Sequence, residues 1–499
     1  MCRSLFVSSV AGSGKTATLV ATVQQLNADP RRILVAAYNK SIERELKDRI
    51  GNRATVRTLH SFGFYHLQRA LGWDNKVQVN DEATYRQCLY IADKLEIGEN
   101  KDRHGLAIRA KHVCRYARLN FEPVSSDLVQ RALCHAELDW DNDDVSPALT
   151  LSSIVLDSKL KAFRQKRTKV VDFEDQLWLP LVGGIHLGNF EWVLIDEAQD
   201  LNPAQVEMVL RASAQAYRVM FGDPHQSIYA FNFADPKASE HLIERTEAHQ
   251  LPLSVSYRCP KRVVALAKRY VPQIEAAPDA IEGSVLEIDD PCRCWDYLRN
   301  LPPDTSLVLC RANAPLLYVA KTLWSERIPA RLLRGQDRGR VLLGLMKQIL
   351  GKDRVLPSDV FLERLDSYAK TEIERRKKAK LSTTSFIDNL DTLCIFFDTE
   401  TDTDGVQNLI RAVVQNTNGL TLSTIHGAKG LEAEHVAWLG PEIRRKGSPK
   451  QQELNVQYVA ITRTKQTLAL LYGLTTPRNP FQDEWDPDSE GWEDEDIAD

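Results

Sequence analysis

Apolar and polar positions along this chain fall into two alternating regimes. A short apolar run at Leu5–Ser8 gives way to a glycine loop, and a helical stretch follows from Lys15 to about Leu26. Ile33–Ala37 is a second β-like run, followed by Ser41–Ile50 with helical composition and alternating charge. Strand then helix, repeated, predicts an α/β fold with a parallel sheet covered by helices. The pattern returns at Trp192–Ile195 and Arg218–Phe221. Each of these strands ends in polar residues, where open α/β sheets place their ligands.

Between about Leu71 and Lys169 the pattern becomes helical and rich in Ala, Leu, Arg and Lys, which reads as an insertion. A second α/β region begins near Leu253, with strands expected at Ser306–Cys310, Thr421–Thr424 and Leu468–Tyr472. It is interrupted over about Gln336–Gln415 by a helical stretch that is very basic around Arg375–Lys380. The expected division is a first α/β domain at 1–70 and 170–252 around an insertion at 71–169. A second at 253–335 and 416–475 surrounds an insertion at 336–415, and residues 476–499 form an acidic tail expected to be disordered.

Composition changes this picture only slightly. Hydrophobic residues at 43% and charged residues at 26% are ordinary for globular chains and argue against general disorder. Apolar runs are too short to span a bilayer, and no signal-peptide pattern follows Met1, so a cytoplasmic protein with no membrane partner is expected. Nine cysteines, scattered singly, fit reduced thiols. Cys292-x-Cys294 lacks the second Cys or His pair that a zinc site needs.

Charge is more informative. Net charge is −4, but Phe481–Asp499 hold ten Asp or Glu and no Lys or Arg, so residues 1–480 carry +6. A mildly basic body suits a nucleic-acid partner, and the acidic tail is expected either to repel DNA or to dock on a basic protein partner.

The chemistry begins at Ala11-Gly12-Ser13-Gly14-Lys15-Thr16, between a strand and a helix. Glycines let backbone N–H groups converge on phosphate oxygens, Lys15 reaches the terminal phosphates, and the Thr16 hydroxyl can ligate Mg²⁺. A strict phosphate loop of this type has Gly where Ser9 stands. The second element is Trp192-Val193-Leu194-Ile195-Asp196-Glu197-Ala198-Gln199-Asp200, an apolar strand ending in carboxylates. Asp196 is placed to hold Mg²⁺ and Glu197 to orient or deprotonate an attacking water. Capping of the next helix is the plainer alternative for these acids.

Asp196–Asp200, followed by Phe221-Gly222-Asp223-Pro224-His225-Gln226-Ser227-Ile228-Tyr229, resembles motifs II and III of the UvrD/Rep family of superfamily 1 helicases (superfamily 1A, PcrA-like). Further blocks follow the family order: Val35–Lys40 and Thr58–Phe62 near the start, then Leu253–Pro260 with Tyr257-Arg258, and Val308–Ala314. Thr424-Ile425-His426-Gly427-Ala428-Lys429-Gly430-Leu431-Glu432 resembles motif V, and Gln457–Arg463 motif VI. Together they span about residues 5 to 472.

The resemblance implies two RecA-like P-loop domains with parallel sheets, each carrying a helical insertion, and ATP with Mg²⁺ bound between them. It implies an ATP-dependent DNA helicase or translocase travelling 3′→5′ on single-stranded DNA or at a single-strand/duplex junction. Lys15, Asp196, Glu197, Gln226, Arg258 and Arg463 would be catalytic, with Gln226 sensing the γ-phosphate and the two arginines acting as fingers. Gly12, Ser13, Gly14, Lys15, Thr16, Tyr257 and Glu432 would bind the nucleotide, Tyr257 by stacking on the base and Glu432 through the ribose. Thr16 and Asp196 would be the metal ligands. The strand would run over Asn39, Lys40, Thr58, His60, Tyr229, Phe231 and His426, combining phosphate contacts with ring stacking.

The chain departs from the family in places. Eight residues precede Ser9 in this sequence, so no counterpart is expected within it of the Gln that reads the adenine edge upstream of the loop in the family, the alternative being a start that lies further upstream. Ala17 stands where many relatives have an Arg, and Asn232 where an Arg is common. Nucleobase choice and one strand contact are weakened accordingly. The second insertion is short, which favours as an alternative a translocase that displaces proteins without productive unwinding. A catalytically silent nucleic-acid scaffold is the other alternative, opposed by Lys15, Glu197, Gln226, Arg258 and Arg463. Repair and recombination are among the pathways open to such a motor.

Overall fold

The computed structural model describes residues 3–72, 76–97, 103–136, 138, 142–228, 233, 235, 237–378, 383–441, 450–474 and 481. Tyr229, Phe231, Asn232 and all of the acidic tail except Phe481 lie outside them. The chain divides into two compact units, Met1–Ser256 and Tyr257–Asp499.

In the first unit six parallel strands form one sheet: β1 (Ser4–Ser9), β2 (Ile33–Ala37), β3 (Thr55–Thr58), β4 (Trp192–Ile195), β5 (Tyr217–Gly222) and β6 (His249–Leu253). Their order across the sheet is β3-β2-β4-β5-β1-β6. All five residues of β2 are buried, the mark of a parallel strand covered on both faces. The two-residue period of a strand sorts neighbours to opposite sides. Phe6, Leu34, Val193, Ile195 and Met220 enter one core, with Phe62 and Met208. Val7, Ile33, Val35, Leu194 and Phe221 enter the other, with Leu19 and Leu46. Those last two come from α1 (Lys15–Gln25) and α2 (Lys40–Ile50), while Phe62 lies on α3 (Leu59–Leu71).

Four helices leave this sheet after α3: α4 (Ala83–Lys94), α5 (Arg103–Asn120), α6 (Ser126–His135) and α7 (Asn142–Arg164). They bury their own apolar cluster, including Cys88, Val113, Leu128, Leu151 and Val155. At the neck, where the insertion leaves and rejoins, Gln78–Val79 pairs in parallel with Val170–Val171. Beneath this ladder Arg118 on α5 is 1% exposed and donates to Asp172 and Asp175, each at 2.6 Å. Lys159 on α7 also binds Asp175, and the Thr84 hydroxyl donates to Asp172. Burial alone would raise the Asp172 carboxyl, but the Arg118 and Lys159 charges hold it well below the usual carboxylate range. Three helices of the insertion are thereby joined to the segment that begins α8 (Asp175–Val182).

The second unit repeats the plan with six parallel strands: β7 (Ser284–Ile288), β8 (Ser306–Cys310), β9 (Ala330–Leu332), β10 (Leu420–Thr424), β11 (Ala433–Leu439) and β12 (Thr464–Leu471). The order is β7-β12-β11-β8-β10-β9. Between β9 and β10 lie four helices, Gly335–Leu350, Ser358–Lys378, Thr384–Cys394 and Thr403–Gln415, whose core includes Leu342, Phe361, Leu390 and Ile410. Asp388 fastens this insertion to the sheet by accepting from the backbone N–H groups of Asn313 and Ala314 and from the Asn313 side chain. No described helix is long and apolar enough to cross a membrane.

Two predictions follow from burial in the first unit. Arg118→Met would leave two buried carboxylates undercompensated, so urea unfolding should show a loss of about 3–5 kcal/mol, the usual cost of breaking a buried pair from one side. A loss under about 1 kcal/mol would mean that Lys159 suffices alone. Burial also lowers His66, inside α3, to about 4. The unfolded chain, with histidine near 6.5, then binds more protons between these values. Unfolding free energy should therefore fall as pH drops from about 6.5 toward 4, and His66→Gln should flatten that slope.

Candidate nucleotide-binding and catalytic site

Because the strands are parallel, the C-terminal ends of β1, β4 and β5 meet at one edge of the sheet, with β5 between the other two. Each end carries one piece of the chemistry. β1 runs into the glycine loop, where Gly12 and Gly14 have φ of 72° and 80°. That left-handed backbone is open to glycine at little cost and closed to most other residues. Helix α1 starts at Lys15 with no side-chain cap and no acid in its first turn. Its first N–H groups and the positive end of its dipole are left for an anion. The Ser13 hydroxyl is buried and has no hydrogen-bond partner among the described residues. Ser9, the departure from a strict loop, is also explained: its hydroxyl donates to the Gly222 carbonyl at 2.8 Å, tying β1 to β5.

Lys15 Nζ lies 2.8 Å from Glu197 Oε2, with the two side chains 11% and 24% exposed. Burial would depress the Lys15 ammonium, but Glu197, Asp223 and Asp196 together hold it above its ordinary value. Asp196 is 2% exposed and is pushed up to about 7 by burial and by the neighbouring Glu197 charge. Burial likewise raises Asp223. Glu197 itself sits at φ 52°, a left-handed conformation uncommon for a side-chain-bearing residue and frequent at functional turns.

Gln199, which the sequence left without a role, joins these parts. Its Nε2 donates to Glu197 Oε2 at 2.6 Å, and its Oε1 accepts from the Asp223 backbone N–H at 2.9 Å. Gln226, buried one turn beyond, donates to Asp223 Oδ2 at 2.6 Å. A Cβ at Gly222 would stand 3.1 Å from Gln199 Oε1, so the close passage of β5 past this amide favours glycine.

An orphaned hydroxyl, a left-handed glycine cradle, an uncapped helix start and a buried carboxylate that resists ionisation all suit a phosphate chain with its divalent cation. Thr16 and Asp196 are the oxygen donors of the hard type that Mg²⁺ prefers. Among the described residues no group of three or more His, Cys, Asp or Glu forms a metal cluster, so Mg²⁺ would share its shell with phosphate oxygens and water.

At the same edge, just beyond β2 and at the end of β3, stand strand-binding candidates. Asn39 caps α2 by accepting from the Ile42 N–H at 2.9 Å, and Lys40 pairs with Glu43 at 2.9 Å. Thr58 is buried and caps α3 through Ser61. His60 is lowered to about 4 by burial, so near neutral pH it offers a ring and a hydrogen bond but no charge. It stacks on Phe173, with ring centroids 3.8 Å apart, and Phe173 is 49% exposed. Phe173 was not singled out by the sequence. Only its tertiary position against His60 marks it.

In the second unit Arg258 Nε pairs with Glu432 Oε2 at 2.7 Å, and Lys465 Nζ with Glu432 Oε1 at 2.5 Å. Arg258 also donates to the Thr462 carbonyl at 3.3 Å. Arg463 is buried and donates to the carbonyls of Val459 and Leu431 at 3.0 and 3.3 Å. Tyr257 is 71% exposed, and His426 is half-buried in the loop after β10. Thus Arg258 and Glu432 are brought together, with Lys465 as a partner that the sequence did not suggest.

Residues 2–232 match the model of an AAA domain, and residues 360–475 that of a UvrD-like helicase C-terminal domain. The F-box DNA helicase protein 1 of Schizosaccharomyces pombe is 25% identical over 93% of this chain and 55% of its own length. DNA helicase IV of Escherichia coli is 24% identical over 54% of the chain and 45% of its length. The ATP-dependent DNA helicase PcrA of Leuconostoc citreum is 25% identical over 54% of the chain and 37% of its length. The chain spans about half the length of the first of these and less of the others. With both domain models matched in order and the relatives agreeing, the chain belongs to the UvrD/PcrA-like superfamily 1 helicases.

Proposed function

We propose that this chain is an ATP-dependent motor on DNA, a helicase or translocase that moves 3′→5′ along a single strand. The observation that carries the reading is the web from Lys15 through Glu197 and Gln199 to Asp223 and Gln226. It brings an ammonium, a carboxylate and a buried amide to one sheet edge, the groups that phosphate binding, proton acceptance from water and γ-phosphate sensing would use. The named activities of the relatives support the same reading.

In hydrolysis the Lys15 ammonium moves from Glu197 toward the terminal phosphate, which competes for it with full negative charge. Glu197 is then free to orient the attacking water and accept its proton on Oε2, still steered by Gln199. Thr16 and Asp196 are the side chains that would hold Mg²⁺, which supplies neutralisation of developing phosphate charge. Gln226 reports the γ-phosphate through Asp223. Arg258 and Arg463 act as fingers, Tyr257 stacks on the base and Glu432 holds the ribose, with support from the family motifs. The strand is gripped by Asn39, Lys40, Thr58, His60 and His426, together with Tyr229 and Phe231. Phe173 joins them, because an exposed ring already stacked on His60 offers a face to a base. The short second insertion favours translocation with weak unwinding as a second reading. Assays of duplex unwinding and single-strand translocation, run side by side on strands of opposite polarity, separate the two.

The chemistry is tested by phosphate release with and without single-stranded DNA. Glu197→Gln should retain nucleotide binding yet lose nearly all turnover, and Lys15→Ala should lose both. Turnover equal to wild type in Lys15→Ala would sink the enzyme reading. Phe173→Ala should leave strand-free turnover intact and weaken single-strand affinity by about 1–3 kcal/mol, the range for one base stacked on a ring. Unchanged affinity would confine Phe173 to packing against His60.

A further inference from the structure

The basic run Lys159–Lys169 has no part in the nucleotide chemistry; Lys161, Arg164 and Lys166 face solvent, but Lys159, Arg167 and Lys169 share one wall. Where the neck ladder meets α4 and the end of α7 there is a cavity of about 330 Å³, lined in part by Arg86, Gln87, Lys159, Arg167, Lys169 and Asp175. Asp175 is the only carboxylate on that wall. Its charge is already met, since Arg118 and Lys159 both bind it. Arg86 and Arg167 are exposed, and among the described residues neither has an ion pair or a side-chain hydrogen bond.

Two exposed guanidinium groups without ion-pair partners among the described residues line this concavity together with Lys169, while Lys159 is engaged by Asp175. A concavity lined by one sign of charge draws an anion. Concave, low-dielectric walls concentrate the positive potential further. Guanidinium forks match phosphate oxygens two at a time, and a single-strand base stack would need an aromatic ring that this wall lacks. The chemistry is that of a phosphate group, read without regard to base.

We propose that this neck pocket holds a backbone phosphate of the nucleic acid on which the motor works. It is a second anchoring point, built on the insertion and sharing no residue with the strand-binding candidates at the ends of β2 and β3. The proposal rests on the function proposed above. A strand gripped both at the sheet edge and at the neck would be held at two separate points of the first unit.

The test is fluorescence anisotropy of a labelled oligothymidylate on the full chain, from about 50 to 300 mM salt, for wild type and the double variant Arg86→Ala/Arg167→Ala. Both side chains are exposed, and a thermal melt checks that the variant folds. Losing a phosphate contact should make the slope of log affinity against log salt shallower by about 0.7, with strand-free phosphate release unchanged. Arg86→Lys/Arg167→Lys should restore most of the slope, because the charge remains. Equal slopes and affinities in wild type and the alanine variant would overturn the proposal while leaving the motor reading intact. Pyrophosphate stabilisation lost in the variant with strand binding unaltered would also overturn it, by assigning the pocket to a free polyanion. Absence of strand binding by the wild type would overturn this proposal and the motor reading together.

Discussion

A single ammonium group among three acids organises the first unit. Asp196 and Glu197 follow β4 and Asp223 follows β5, the strand that lies between β4 and β1, and burial raises the cost of ionising two of these acids. Lys15 makes the arrangement tenable. The helix that carries it begins without a cap, and the glycines before it give the backbone the turn needed to deliver it. The strand order, the loop and the uncapped helix are separate features of the sequence, and together they bring that cation to the three acids. In the proposed reaction a phosphate entering the loop would compete with Glu197 for it, and binding would then be coupled to release of the proposed proton acceptor.

The second constraint is the neck of the helical insertion. A parallel ladder two residues long is too small to hold four helices in place. Buried charge compensates for its size: one arginine and one lysine from two helices hold two aspartates that begin a third, and a threonine hydroxyl from a fourth helix adds to them. Buried pairs of this kind add little net stability compared with an apolar substitute but punish misalignment severely. The insertion is thus placed by direction as well as by apolar contact. In the second unit the Asp388 carboxylate serves a related purpose, receiving backbone N–H groups at the start of a helix.

Much of the architecture was legible where strands are buried on both faces, as at Ile33–Ala37, Trp192–Ile195 and Ser306–Cys310, because continuous apolar runs need no context. Edge strands were not. His249–Leu253 is mostly exposed and contains a proline, and Ser284–Ile288 and Ala330–Leu332 are short and part-polar. Their pairing is decided by the neighbouring strand rather than by their own residues. The candidate site divides in the same way. Lys15, Asp196, Glu197 and Gln226 lie in contiguous motifs and are gathered at one edge. Lys465, Phe173 and the Asp223 contact of Gln199 take their significance from partners more distant in the chain, and no local pattern announces such partners.

Gln199 illustrates how narrow such a position becomes. Its carboxamide has one end that only gives and one that only receives, and it faces a carboxylate on one side and a backbone N–H on the other. Rotating the amide by half a turn would set oxygen against oxygen and hydrogen against hydrogen, so its orientation has a single chemical solution. Glutamate here would oppose Glu197 with like charge, asparagine would fall one methylene short of spanning both, and methionine would serve neither. The side chain behaves as a polarised rod of fixed length. Two strand ends separated in sequence by more than twenty residues are gauged against each other by the dimensions of one glutamine.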